Sequence, residues 1–370
     1  MVDKKQVKLI LEDNSIFYGF SFGSEKSVSG EVVFNTGMVG YPETMTDPSY
    51  KGQILVLTYP LIGNYGIPSD DQENNLKKHF ESDKIHLQGL IVSDYSKDHN
   101  HWNSEKSLSG WMKEQDIPGI YGIDTRELTK KLRENGTMLG KIICNDNDIV
   151  LDDPNKRNLV SEVSVKESVI YNEQGDKKVV VIDCGVKNNI IRCLVERNCC
   201  VIKVPWDYDF FKHEFDAVLI SNGPGNPKTC KETINNVKKC LEKDIPTFGI
   251  CLGNQILALA ADADTYKLKY GHRSQNQPCI EVGTKRCYIT SQNHGYAVDT
   301  KTLPEGWLPW FENANDGTNE GIKHKTKPFM SFQGHPEHYP GPVDTNFLFD
   351  KFIENIGKDF QSQKFVSIKI

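Results

Sequence analysis

Cys251 has the local setting of a nucleophile. The apolar stretch PTFGI runs into GICLG at 249–253 and then into the helical pattern NQILALA. Glycines on both sides of a reactive residue permit a tight strand-to-helix turn, which lifts the side chain clear of the sheet edge. At the start of such a helix, unpaired N–H groups favour negative charge, and the N–H of Leu252 can face a developing oxyanion. Packing of Cys251 in a core is the alternative, but a core position needs no flanking glycines.

His335 and Glu337 are the candidate base and orienting group. A cysteine nucleophile needs both, and distant parts of a chain usually supply them. The apolar run PFMSFQ ends in GHPE, where Pro336 biases His335 toward extended geometry, so that His335 and Glu337 point to the same side. A partly buried ion pair is the alternative, and His338 nearby makes a metal site conceivable. Because no second Cys or His joins them at ligand spacing, we predict no metal site.

A glycine-rich turn, SNGPGNP at 221–227, follows the strand-like run FDAVLI. Its glycines allow backbone N–H groups to approach a ligand closely. The turn matches neither the G-x-G-x-x-G pattern nor the Walker A loop, so a nucleotide site has little support. By themselves, the three segments indicate a cysteine hydrolase that acts on an amide or an ester.

The elements that must position these residues differ between the two halves of the chain. The first half has short apolar runs broken by turns, and one helix is predicted at 124–136, where Asp124 and Glu127 have capping-box spacing. In the second half, apolar strands alternate with helical stretches. We therefore predict an α/β protein, in which a β-rich α+β N-terminal domain precedes a mostly parallel sheet with flanking helices. The predicted segments are the N-terminal domain at 1–150, a linker at 151–177, the second domain at 178–357 and a tail at 358–370.

Composition excludes several classes of partner. Lys and Arg number 44 against 50 Asp and Glu, for a net charge of −6, and no basic stripe marks a nucleic-acid or membrane surface. No apolar run approaches the roughly 18 residues that span a bilayer, and the start MVDKKQVKLI resembles no signal or transit peptide. The ten cysteines are scattered without a C-x-x-C pair, so we predict that most are reduced and buried. A cytosolic protein is expected.

In combination, GICLGNQ, SNGPG and GHPE resemble the motifs of the class I, triad-type glutamine amidotransferases. The segment GEVVFNTGMVGYPETMTDPSYKGQILVLTYPLIGNYG looks like the small-subunit domain of the carbamoyl phosphate synthetases, as do GIYGIDTRELTKKLRENG and TSQNHGYAVD. The similarity runs from about residue 7 to residue 357. The chain is identified as similar to the small-subunit family throughout, either as a free subunit or as the equivalent N-terminal region of a fused enzyme.

The resemblance implies a role for each site residue. Cys251 becomes the nucleophile, His335 the general base and later acid, and Glu337 the group that orients His335. The backbone oxyanion donors fall on Gly223 and Leu252. The positions expected to contact glutamine are Ser49, Gly225, Gln255, Asn293, Gly295 and Tyr296. Ser49 comes from the first domain, which is therefore expected to close over the glutamine site, unless its hydroxyl merely lies on the surface.

The resemblance also implies a reaction and a partner. The expected reaction is hydrolysis of L-glutamine to glutamate and ammonia through a Cys251 thioester. The ammonia would pass to a synthetase large subunit or fused synthetase domain, where ATP and Mg²⁺ act; no cofactor is expected in this chain. The product would supply pyrimidine or arginine synthesis.

Two alternatives stay open. One is an amidotransferase of another pathway or a free-standing thiol hydrolase, against which the N-terminal domain argues. The other is a regulatory or structural subunit whose glutamine site has decayed. Asn254, which stands where many active members carry His, keeps that second alternative open, although Cys251, His335 and Glu337 argue against it.

Overall fold

Two sheets carry most of the chain: a closed barrel and a ten-stranded sheet. The computed structural model describes residues 5–145 and 147–357, and the predicted tail at 358–370 lies outside these described residues. Among the helices in the described ranges, none has the length and apolar character needed to cross a membrane.

The N-terminal part is built on the barrel. Its strands are β1 (Gln6–Leu11), β2 (Ile16–Ser21), β3 (Val28–Asn35), β4 (Gln53–Leu57), β5 (Leu61–Ile62), β6 (Gln72–Glu73), β7 (Leu76–Lys77), β8 (Gly89–Ile91), β9 (Asp94–Tyr95), β10 (Gly119–Tyr121) and β11 (Met138–Ile143). Its helices are α1 (Tyr41–Thr46), α2 (Leu108–Glu114) and α3 (Thr125–Asn135). The barrel closes in the order β1, β11, β3, β4, β8, β10, β2.

The predicted helix is confirmed as α3. The Asp124 carboxylate accepts hydrogen bonds from the N–H groups of Arg126 and Glu127, which satisfies donors that a helix start leaves unpaired. Leu128 and Leu132, one turn apart, are fully buried against the barrel core. The sequence pattern therefore determined both the cap and the packed face of this helix.

The C-terminal part is an α/β sheet. Its strands are β12 (Val169–Tyr171), β13 (Lys177–Asp183), β14 (Cys199–Pro205), β15 (Ala217–Ile220), β16 (Thr247–Ile250), β17 (Thr265–Glu281), β18 (Cys287–Val298), β19 (Trp307–Asn313), β20 (Asn319–His324) and β21 (Phe329–Phe332). Its helices are α4 (Val160–Val163), α5 (Asn188–Val195), α6 (Lys231–Glu242), α7 (Leu252–Ala260) and α8 (Phe347–Asn355). The strands lie in the order β12, β14, β13, β15, β16, β21, β20, β19, β17, β18.

Only half of this sheet is parallel. The five neighbouring strands from β14 to β21 pair in parallel, and their near-continuous apolar sequences are buried on both faces. The other pairings, from β12 to β14 and from β21 through β20, β19 and β17 to β18, are antiparallel. The expectation of a mostly parallel sheet thus describes the half that carries Cys251. Strand β17 is mixed in polarity because an antiparallel strand can face solvent on one side, so its sequence gave no continuous apolar signal.

The segment predicted as a linker, 151–177, holds α4 and β12. Strand β12 pairs with β14 as an edge strand, and Val160 of α4 is buried in the core beside α7. Much of this polar segment therefore packs on the C-terminal sheet, while the predicted domain boundaries stay a prediction. The cysteines meet expectation, since all ten are free thiols and only Cys287 is exposed.

Candidate active site

Cys251 lies on a strained turn between β16 and α7. Its φ of 55° and ψ of −105° are rare for a residue with a side chain, and such strain is typical of functional positions. A Cβ on Gly249 would lie 2.3 Å from the carbonyl oxygen of Gly253, and one on Gly253 would lie 2.1 Å from that of Ile220. Close backbone contact, more than unusual dihedral angles, therefore requires the two glycines. Leu252 is the first residue of α7, so its backbone N–H has no hydrogen-bond acceptor within the helix.

His335 and Glu337 form a buried pair next to Cys251. Nδ1 of His335 is 2.7 Å from Oε1 of Glu337, while Nε2 has no well-formed hydrogen bond. Burial disfavours the charged imidazole, but the carboxylate of Glu337 and the sulfur of Cys251 outweigh it and raise the pKa of His335. The imidazole of His335, which favours its protonated form, thus lies between the thiol of Cys251 and the carboxylate of Glu337.

Lys187 completes this charge network, and sequence reasoning missed it. Its Nζ donates to Oε1 of Glu337 at 2.9 Å and to the carbonyl oxygen of His338 at 2.7 Å. Burial opposes the charge of Glu337, but Lys187 and then His335 hold the pKa of that carboxyl below its ordinary value. Oε2 of Glu81 lies 3.6 Å from Lys187 on the other side. Nothing in the segment DCGVKNN marked Lys187, because its partners come from 150 residues further along and from the barrel part.

One cavity, continuous with solvent, gathers most of the predicted site residues. The predicted positions that line it are Ser49, Gly223, Gly225, Cys251, Leu252, Gln255, Asn293, Gly295 and Tyr296. His335 lines a neighbouring cavity, and Glu337 is fully buried behind it. The roles predicted for these residues stay predictions, but the fold brings the residues together.

Contacts between the two parts of the chain hold one wall of this cavity. Oγ of Ser49 accepts a hydrogen bond from Asn222 at 2.9 Å, so Ser49 is buried between the barrel and the sheet. The carboxylate of Asp47 accepts from Asn222 at 3.3 Å and from Asn293 at 3.1 Å. Asn222 lies within the glycine-rich SNGPG turn, so its place in the sequence could have marked it as a site residue. No motif around Asp47 could have done the same.

Gln255 and Asn254 both donate to Oε1 of Gln333, but only Gln255 lines the cavity. Nε2 of Gln255 donates to the carbonyl oxygen of Tyr296 at 2.8 Å, which braces the cavity wall. Asn254 is fully buried, donates to Oε1 of Gln333 at 2.9 Å and accepts from Ser331 at 2.7 Å. Asn254 is therefore part of the packing between α7 and β21 and does not line the cavity.

Within residues 5–145 and 147–357, His272, His294 and Glu320 form the group whose ligand atoms lie close enough to hold a metal ion. His272 already bonds a carboxylate through each ring nitrogen, Glu320 at 3.1 Å and Asp316 at 2.9 Å. Burial opposes the charge of His272, but these carboxylates raise its pKa. The ring of His272 is therefore held between the carboxylates of Glu320 and Asp316.

Two family models match the chain. The carbamoyl-phosphate synthase small chain, CPSase domain, matches residues 9–142, and the glutamine amidotransferase class-I model matches residues 180–355. These two segments belong to those families. The Cys251 elbow, the GHPE segment and the glycine-rich turn all fall in the amidotransferase segment, whereas Ser49 falls in the small-chain segment.

Curated relatives resemble nearly the whole chain. Multifunctional protein CAD of Squalus acanthias is 57% identical over 94% of this chain and 16% of its own length. Multifunctional protein pyr1-3 of Dictyostelium discoideum is 50% identical over 96% of this chain and 17% of its own. Carbamoyl-phosphate synthase [ammonia], mitochondrial, of Homo sapiens is 52% identical over 96% of this chain and 24% of its own. The chain thus spans a quarter or less of the length of these relatives.

Proposed function

We propose that this chain hydrolyses L-glutamine to glutamate and ammonia through a thioester on Cys251. The observation that carries the proposal is the buried row of Cys251, His335 and Glu337, with Cys251 held at a φ of 55° at the start of α7. That row opens on a cavity lined by backbone groups, amides and charged side chains, which suits a small polar substrate.

The first step is acyl transfer to the sulfur. The Cys251 thiolate attacks the side-chain amide carbon of glutamine, and the N–H groups of Leu252 and Gly223 face the oxyanion of the tetrahedral intermediate. His335, whose raised pKa favours the protonated form, gives its proton to the departing nitrogen, and the C–N bond breaks to release ammonia. A thioester remains on Cys251.

The second step is hydrolysis of the thioester. His335 is neutral after the first step and takes a proton from water as the water attacks the same carbonyl carbon. Collapse of the second tetrahedral intermediate breaks the C–S bond, releases glutamate and restores the thiolate and imidazolium. Glu337 and Lys187 keep the ring of His335 in one orientation through both steps.

The ammonia is proposed to pass to a synthetase that makes carbamoyl phosphate from bicarbonate and ATP. The match of residues 9–142 to the small-chain domain supports this partner, as do the longer relatives, whose remaining length leaves room for a synthetase region. ATP and Mg²⁺ would act there. Supply of pyrimidine or arginine synthesis, and a cytosolic location, belong to the same proposal.

The test is glutamate release from L-glutamine by the 370-residue chain, with Cys251→Ser beside the wild type. We expect the variant to lose at least about a thousandfold in rate, since a nucleophile and its base act as one unit. Cys287→Ser is the matched control, because Cys287 is the exposed cysteine and should leave the rate unchanged. Equal rates for wild type and Cys251→Ser would contradict the proposed nucleophile.

A chain that supports an ammonia-using synthetase without hydrolysing glutamine is the second candidate. One observation favours it: the human relative, which is 52% identical to this chain, is named for ammonia. Adding a carbamoyl phosphate synthetase large subunit to the assay separates the two. Stimulated glutamate release supports the hydrolase, and a folded chain that is silent with and without the subunit supports the second candidate.

A further inference from the structure

Arg273 is a buried cation that faces the cavity of Cys251. It lies on β17 opposite Asn293, its side chain is 5% exposed, and it lines the same cavity as Ser49 and Gly225. Its Nη1 donates to the carbonyl oxygen of Tyr270 at 2.6 Å.

The guanidinium of Arg273 has no anionic partner in the described part of the chain. It takes part in no ion pair there, and its buried Nε has no hydrogen-bond partner. Glu31 attracts it, but Oε1 of Glu31 already lies 2.7 Å from Nζ of Lys267. Burial lowers the pKa of Arg273, yet arginine stays charged in proteins. Because a buried charge without a partner is strongly unfavourable, an anion must be expected where this cation points.

Two glycines show where the guanidinium points. A Cβ on Gly271 would lie 2.5 Å from Nη1, and one on Gly295 would lie 3.3 Å from Nη2. Gly295 is a cavity position, so one edge of the guanidinium reaches the surface that a substrate would touch. Besides the Cys251 thiolate, whose charge His335 balances, the charged groups on that surface are Glu31, Lys267 and Arg273, and the Glu31–Lys267 pair neutralises itself. The cavity therefore carries one unmatched positive charge.

We propose that Arg273 binds the α-carboxylate of the substrate amino acid and so selects free glutamine over glutamine whose carboxyl group is blocked. This inference rests on the proposed hydrolysis of glutamine. With the side-chain amide at Cys251, the α-carboxylate is the anionic end of the molecule and lies several bonds away, toward the cavity wall. Arginine suits this task because its planar fork matches a carboxylate with two parallel hydrogen bonds.

The experiment compares L-glutamine with L-glutaminamide, in which a neutral amide replaces the α-carboxylate, by ammonia release. For Arg273→Met we expect the KM for glutamine to rise about 10- to 100-fold, the usual worth of a hydrogen bond to a charged group, with kcat within about threefold. The KM for glutaminamide should be high with the wild type and should not rise further in the variant. Arg273→Lys should restore part of the affinity, because it keeps the charge but not the fork. Arg286→Met, an exposed arginine on the same hairpin, is the control.

Binding to the Cys251→Ser chain, measured by calorimetry, separates this inference from the proposed function. If glutamine binds tightly to the Cys251→Ser chain and weakly to the chain that also carries Arg273→Met, the inference is supported even if the wild type releases no ammonia. An equal loss for glutamine and glutaminamide, or no loss in Arg273→Met, overturns the role of Arg273 and leaves the hydrolase proposal standing. Should Arg273→Met fail to fold, a wild type that binds both compounds equally would overturn the inference without any variant.

Discussion

Lys187→Met would remove a buried positive charge from between two carboxylates. Nζ of Lys187 lies 2.9 Å from Glu337 and 3.6 Å from Glu81, and the three side chains are between 0% and 5% exposed. Methionine has a similar length and an apolar stem, so the substitution changes the charge more than the packing. The change therefore measures what holds the pair of His335 and Glu337 in place.

The expected loss of stability follows from the charge that stays behind. Removing one partner of a buried ion pair costs about 3–5 kcal/mol, because the other charge remains without compensation. Arg192 still lies 3.4 Å from Glu81 and His335 lies 2.7 Å from Glu337, so each carboxylate keeps one partner and the loss should fall near the lower end of that range. In the wild type the pKa of Glu337 is lowered to about 2. The ionised carboxylate therefore adds to the free energy of unfolding above about pH 4.5, and this stabilisation is lost as pH falls toward 2. The difference in the free energy of unfolding between wild type and Lys187→Met should therefore be largest at pH 7 and should shrink below pH 4.5.

The assay is urea denaturation at pH 7 and again at pH 3.5, comparing the midpoint of the same transition. Lys238→Met is the matched control, since Nζ of Lys238 lies 2.6 Å from Asp262 but both side chains are exposed, and such pairs are worth below about 1 kcal/mol. Equal midpoints for Lys187→Met and Lys238→Met at pH 7 would refute the reasoning, as would a gap that widens at pH 3.5.

Two other buried polar groups give predictions. Burial raises the pKa of Glu43 to about 7, and its Oε2 has no hydrogen-bond partner. A carboxyl whose pKa is raised by folding destabilises the protein as pH rises through that range, because it must ionise while buried. Glu43→Gln should therefore raise the free energy of unfolding by up to about 3 kcal/mol at pH 8 and by little at pH 4.5. Urea midpoints at the two pH values check this, and an equal gain at both contradicts it. Asn254→Ala should lower stability by about 1–3 kcal/mol, because Gln333 and Ser331 each lose one of their buried hydrogen bonds, without changing the KM for glutamine. Thermal melts and glutaminase kinetics test this together, and a tenfold rise in KM would show that Asn254 does reach the substrate.

The parts of the fold that could be predicted are those with a local signal. Helix α3 has its cap, its packed face and its terminal glycine within 13 residues, and the five parallel strands are near-continuous apolar runs. The antiparallel strands β17 to β20 were not distinguished, because their pairing depends on partners more than 30 residues away and their mixed sequences suit a half-solvated sheet. The strand β12 was hidden for the same reason.

By itself, the sequence determined the elbow at Cys251, the pairing of His335 with Glu337, and the alternation that builds the parallel half of the sheet. The extended geometry expected at His335–Glu337 was wrong: β21 ends at Phe332, and a turn closed by the N–H of His338 on the carbonyl oxygen of His335 brings the two side chains together. The correct predictions depend on neighbours in the chain and on glycines that allow close backbone contact. Only the tertiary structure decided that Lys187 supports Glu337, that Asp47 joins the two parts of the chain, and that Arg273 lacks an anion. Burial and charge pairing are properties of segments far apart in sequence, so no local pattern records them.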